Sequence, residues 1–274
     1  MKFNPDNLNI HELAIEEPEK QAELPFDFSE LVSAEDLQEL RDELNRTRER
    51  QKHDKSPLWG GFCWEVATLK LMNKNEKVDL DEQTLQGIRD NLLRYASLQE
   101  WDGFSAIASS LKISGITDSQ ISKILLDNKN NILKYFESLI YPGISSSAEL
   151  TAKKIKIIYP GVVINTKDLS LGLATRFKQS KHWLLFCQHL TYEKFIDFDC
   201  DIPLDQETKD KITNEFKTYL SKKAWSPLGD IALAMNILNA KRINITDKGV
   251  EFITSDKNAK STSEPQNLPE QKQF

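Results

Sequence analysis

The sequence predicts an all-α protein, an elongated right-handed stack of about five degenerate two-helix units of ~42 residues each. Trp59 and Trp101 are 42 positions apart, and so are Trp183 and Trp225. The residues that follow each tryptophan agree at helical spacing. The second half of each unit opens on an apolar-polar-apolar link and a residue that can cap a helix.

Three residues after each tryptophan stand Phe62, Phe104, Phe186 and Leu228, and seven after stand Val66, Ala108, Leu190 and Ala232. Eleven after stand Lys70, Lys112, Lys194 and Asn236, and twelve after stand Leu71, Ile113, Phe195 and Ile237. Offsets 0, 3, 7 and 11 fall on one helical face, with 12 beside it. A helix pair cannot bury such a face alone, so each tryptophan is expected at the seam between neighbouring units.

The links are Val78-Asp79-Leu80-Asp81, Ile116-Thr117-Asp118, Ile164-Asn165-Thr166, Ile202-Pro203-Leu204-Asp205 and Ile243-Asn244-Ile245-Thr246. Asp, Thr and Asn recur there because a side-chain oxygen can satisfy the free amides of a helix start. In length and helix-pair organisation the units are similar to HEAT or armadillo arrays, without the diagnostic residues of either. That likeness implies an α-solenoid with an extended concave surface.

Residues 1–24 are acidic, rich in Glu and Pro and poor in aromatics, so they are expected to be disordered. Residues 25–56 form an N-terminal cap. Phe26-Asp27-Phe28-Ser29 reads as a link lacking its first helix, and Ser33 caps a charged helix over about 34–52 that ends before Pro57. The repeat domain spans 57–254. Its third unit, about 143–182, lacks a tryptophan, and its runs 155–158 and 161–164 leave a short hairpin open as the alternative to helix. Trp225 to Thr254 is the clearest unit, with a first helix, the link at 243–245, and a second helix capped by Thr246 and Asp247. Residues 255–274, rich in Ser, Gln, Lys and Pro, are expected to be a disordered tail.

Net charge is −6, and an acidic balance weighs against nucleic acid, whose phosphates need a basic face. Three widely spaced cysteines without CxxC weigh against a disulfide framework or zinc ribbon. With no secretory signal pattern and no long apolar run, the expected setting is the cytoplasm, with no membrane contact.

Asp197-Phe198-Asp199-Cys200-Asp201 opens like a calcium loop, but Ile202 and Thr208 stand where glycine and glutamate are required. No phosphate-binding glycine motif is present. Cys187 sits between the apolar positions Phe186 and Leu190 and reads as a structural cysteine. No cofactor or metal is expected. The expected function is a non-catalytic scaffold or adaptor that binds a protein or peptide on the concave surface. Its candidate binding surface is Trp64, which lies outside the seam pattern, with Lys70, Lys112, Lys153, Lys154 and Lys194. Two alternatives remain. One is a nucleic-acid-binding solenoid with a lysine stripe at offset eleven. The other is an enzyme with a site near His182, Cys187, His189 and Asp199.

Overall fold

The computed structural model describes residues 26–54, 57–140, 145–164, 172–199, 202, 204–246 and 248–254. The segments 1–24 and 255–274 lie outside the described residues. The described chain is predominantly helical, with eleven helices and one β-hairpin among those residues. None of these helices is long and apolar enough to cross a membrane.

Five helices begin where the repeat places a first helix. They are α3 (Trp59–Met72), α5 (Trp101–Ser114), α7 (Ser145–Ile158), α9 (Trp183–Ile196) and α11 (Trp225–Asn239). Four of them are buried on every side, not on one stripe. Val66–Leu69, Ile107–Leu111, His189–Glu193 and Ile231–Ile237 are unbroken buried runs, each longer than one helical turn. A helix apolar all round must be enclosed by other elements.

The enclosure is a ring. α3 packs on α5, α5 on α7, α7 on α9, α9 on α11, and α11 returns to α3. The expected elongated stack is therefore corrected: the series closes on itself instead of remaining open. On α3 and α11, Trp64 meets Ser226, Thr68 meets Gly229 and Leu71 meets Asn236, so the two helices run parallel. Small residues, among them Gly229 facing Thr68 and Trp64, let these helices approach closely.

Apart from the single turn α1 (Phe28–Leu31), the remaining helices wrap the ring from outside. α2 (Ala34–His53) lies on α3, α4 (Glu82–Leu98) on α5, α6 (Ser119–Ile140) on α7, α8 (Leu173–Gln179) on α9, and α10 (Gln206–Ser221) on α11. Each of the longer ones buries a single stripe, such as Ile212, Phe216 and Leu220 on α10. The spatial pair is therefore an outer helix followed by an inner one. α2, expected as a cap, is the outer partner of the first inner helix.

The caps form as the links suggest. Asp81, Asp118 and Asp205 accept the amides of Thr84, Ile121 and Thr208 at 2.7, 2.8 and 2.7 Å. Ser33 and Asp36 make a reciprocal capping box. Three of the tryptophans that open inner helices meet the aromatic ring three residues on, edge to face: Trp59–Phe62, Trp101–Phe104 and Trp183–Phe186 have centroids 5.4, 5.8 and 5.9 Å apart. Trp59 also covers Gly87 of α4, where a Cβ would stand 2.7 Å from the indole.

Unit three keeps the expected first helix, and unit five calls for a further correction. In unit three, residues 145–158 form one continuous helix and no strand is present at 161–164. In unit five, the second helix is absent. A two-stranded antiparallel hairpin replaces it, β1 (Arg242–Thr246) with β2 (Gly249–Ile253). Ile243 and Ile245, then Val250 and Phe252, alternate with polar residues at the strand period of two, and five residues are too few for a stable helix. Gly249 takes φ 129° with its Cα side against Gly115 and the Lys112 carbonyl, a conformation and a closeness that exclude a side chain.

The ends of the chain are stitched together across the closure. Phe26 and Asn239 exchange two hydrogen bonds of 2.7 Å, and Phe28 packs edge-on to Phe216. Lys223 of the α10–α11 corner pairs with Asp36 and Glu39 of α2.

Candidate binding crevice inside the ring

Apolar side chains fill most of the ring, but polar groups from four inner helices meet there, ionisable ones on α5, α7 and α11. Lys153 lies on α7, in a buried run with Thr151 and Ala152, and is 7% exposed. Its ammonium donates to Thr191 Oγ1 of α9 at 3.3 Å. The Thr191 hydroxyl donates to the Gln188 carbonyl at 2.7 Å, and Gln188 Nε2 donates to Asp230 Oδ2 of α11 at 2.8 Å. Lys154 reaches the other way, 3.4 Å from the Asp102 carbonyl and 3.9 Å from Asp102 Oδ1 on α5. Asp102 also accepts from Tyr135 at 2.7 Å and from Thr151 at 3.3 Å.

α7 and α11 are not neighbours in the ring, yet Lys153 and Lys154 both feel Asp230 electrostatically. That coupling joins two inner helices that do not pack side by side. Side chains on a helix lean toward its N-terminus. The α7 lysines therefore point toward the end where the inner helices begin, and where Asp102 is exposed.

Burial sets the protonation balance. It pushes the Lys153 ammonium below the ordinary lysine range, against the pull of Asp230. It does the same to Lys154, where Asp102 opposes it. Burial pushes the Asp230 carboxyl up, opposed first by Lys153 and then by the Gln188 hydrogen bond. Tyr135 is pushed up to about 12 by burial and by its bond to the Asp102 carboxylate.

The six surface candidates separate into two groups. Lys153 and Lys154 meet in this crevice. Trp64 is partly exposed on α3, and its indole N–H donates to the Ser226 carbonyl at 2.9 Å, near the same end of the ring. The offset-eleven residues sit at the opposite end and tie down the loops. Lys70 donates to the carbonyls of Lys74 and Glu76 at 2.6 and 2.9 Å, and Lys194 to that of Phe198 at 2.9 Å. Asn236 donates to Leu71 and Ala232. Lys112 is half-buried at the end of α5, with its carbonyl against Gly249.

His182, Cys187 and His189 are not brought together. His182 is exposed at the start of α9. Cys187 is fully buried, and burial, with Asp230 and Glu215, pushes its thiol far above the ordinary range. His189 stacks on Phe177 at 4.8 Å, and its Nδ1 lies 3.0 Å from Glu149 Oε2 of α7 in an approach too poorly aligned for a hydrogen bond. Asp199 is exposed beyond α9. Among the described residues no set of three or more His, Cys, Asp or Glu is disposed to hold a metal ion.

Asp230 and Gln188 escaped the sequence reading, though a signal was present. Both stand five residues after a tryptophan, as Trp64 does, and Asp230 interrupts an otherwise apolar run in Trp225–Met235. No protein-family model matches the chain, and neither a curated protein nor a solved structure matches it.

Proposed function

We propose that this protein is a non-catalytic interaction or adaptor module that binds a protein or peptide partner in the cytoplasm, and that the partner is engaged at the axial crevice. Among the described residues the inner helices close into a ring, so the proposed binding surface moves from a concave groove to the mouth of the ring. The observation that carries the proposal is the chain of contacts that links Lys153, Lys154, Gln188, Asp230 and Asp102 across α5, α7, α9 and α11. Buried ionisable groups cost stability, and apolar residues of similar volume would pack there at lower cost. Such groups in a crevice mark a candidate functional site.

Charge balance favours a peptide over nucleic acid. The crevice sets two lysines against two aspartates, whereas a phosphate backbone calls for net positive charge. The separate placements of His182, Cys187 and His189 lend no support to catalysis by that set.

The test is affinity capture on the wild-type chain, on a Lys154→Met/Asp230→Asn variant and on an α10 control, Lys217→Ala, each with and without nuclease. A partner that survives nuclease, binds the control and is lost from the crevice variant is the expected outcome. A partner released by nuclease would move the reading to nucleic acid. Equal capture by all three chains would sink the crevice.

A further inference from the structure

At the end of the ring where the inner helices finish, a cavity of about 430 Å³ opens between the hairpin and the last turns of α3, α5 and α11. Its size is that of an ordinary binding site. All five residues from Lys248 to Phe252 line it and no residue of β1 does, so it runs along the edge of β2 that faces away from β1. A two-stranded sheet leaves such an edge unpaired. Among the described residues the backbone of Val250, Glu251 and Phe252 makes no backbone hydrogen bond except to β1. Buried Leu71 and Ile113 supply an apolar floor, with Val250 and Phe252 half-buried beside them. Lys70, Lys74 and Lys248 stand around the cavity against one carboxylate, Glu251, which already accepts from Asn244 at 3.4 Å. The Lys74 and Lys248 ammoniums are exposed and unpaired among the described residues. The adjoining loop adds Lys77 and Asp79, while its Glu76 is held by Arg41.

We propose that this edge receives the chain's own N-terminal segment, with Leu13-Ala14-Ile15-Glu16-Glu17 added to β2 as a third strand. The site lies at the opposite end of the ring from the partner crevice and does not depend on it. The described chain begins at Phe26, which is fixed to Asn239 by two hydrogen bonds of 2.7 Å. Asn236, one helical turn back along α11, lines the cavity. The eight residues 18–25 can span about 28 Å, several times that turn. A segment tethered so closely meets its site at an effective concentration of about millimolar. Charge selects the same segment. Residues 1–25 carry six acids against two lysines, with Glu12, Glu16, Glu17 and Glu19 around the apolar pair. Leu13 and Ile15 are two apart, the spacing that places both on one face of a strand. Main-chain bonds to a free edge supply affinity, and alternate side chains supply specificity. The other segment that starts beside β2, residues 255–274, has three acids against three lysines and no such apolar pair.

The experiment is hydrogen exchange of the full chain, read by mass spectrometry over 8–20 and 248–254. Amides of 13–17 are expected to exchange at least about tenfold slower than in an unstructured peptide. Leu13→Asp/Ile15→Asp should abolish that protection and speed exchange in Val250–Phe252. Lys74→Glu/Lys248→Glu should weaken both, and adding Glu16→Lys/Glu17→Lys should restore them. Protection in α3 and α5 reports that each variant is folded, and the charge reversal tests the contact independently of the apolar one. Exchange of 13–17 at the unstructured rate in the wild-type chain would overturn the proposal. So would unchanged protection in Lys74→Glu/Lys248→Glu, or β2 exchange indifferent to the change at Leu13 and Ile15. Protection that grows with protein concentration would assign the edge to a second copy of the chain instead.

Discussion

Asn236 of the last inner helix donates to the carbonyl of Leu71 on the first, at 2.9 Å, and to its own helix at Ala232, also at 2.9 Å. The bond to Leu71 spans the closure of the ring inside a fully buried contact. Asn236→Leu leaves the Leu71 carbonyl without that donor. The expected cost is about 1–3 kcal/mol, read as a lower urea midpoint with an unchanged slope. An unchanged midpoint would mean that the ring stays shut without the bond.

Gly87 on α4 lies beneath the Trp59 indole. Ala is a better helix former than Gly by about 1 kcal/mol, so Gly87→Ala would stabilise an unconstrained helix. Here the new Cβ would stand 2.7 Å from a rigid ring, and the tryptophan is held edge-on to Phe62. Overpacking of this kind costs about 1–3 kcal/mol, so the net change should be destabilising. Adding Trp59→Phe should recover part of the loss in a double-mutant cycle.

Arg89 grips Asp118 with two bonds, 3.1 and 2.6 Å, and Asp118 also caps α6. Asp118→Ala removes the cap and leaves the buried guanidinium with Glu82 and Gln86 alone, at an expected cost of about 1–3 kcal/mol. The bond from Arg89 holds the carboxyl below the usual range. The stabilisation is therefore full above about pH 4, the ordinary aspartate value, and is lost as pH falls through the lowered folded value. The Tm gap between wild type and Asp118→Ala should narrow in acid. A gap independent of pH would assign the loss to packing.

Glu65 of α3 borders a cleft with Glu39, Glu43 and Trp225. Burial raises its carboxyl to about 7, with Glu43 adding and Arg50 opposing. A raised carboxyl binds its proton more tightly in the folded chain, so stability falls as pH rises from the ordinary glutamate range to about 7. Glu65→Gln should match wild type near pH 5 and exceed it at pH 8 by about 1 kcal/mol after solvent screening. Parallel curves at both pH values would show that Glu65 ionises normally.

The Trp–Phe pairs and the Asp caps were legible because each is local. They depend on residues three or four apart, or on one side chain beside a free amide. The hairpin was within reach too, since Ile243, Ile245, Val250 and Phe252 alternate, but the pattern of the preceding units drew the reading toward a helix. The offset-eleven lysines show the limit of a recurring residue. Lys70 and Lys194 recur because each ties down the loop behind its helix, and the sequence cannot distinguish that from a binding stripe.

By itself, then, the sequence determined that the chain is mostly helical, with helices that open on Trp59, Trp101, Trp183 and Trp225 and others capped by Asp81, Asp118 and Asp205. Only the tertiary structure decided that the series closes. Closure depends on how closely neighbouring inner helices approach, at contacts such as Gly229 against Thr68, and on bonds between residues far apart in the chain, such as Phe26 with Asn239. The same closure lets Lys153 of α7 feel Asp230 of α11, two helices apart, where no spacing along the chain could have paired them.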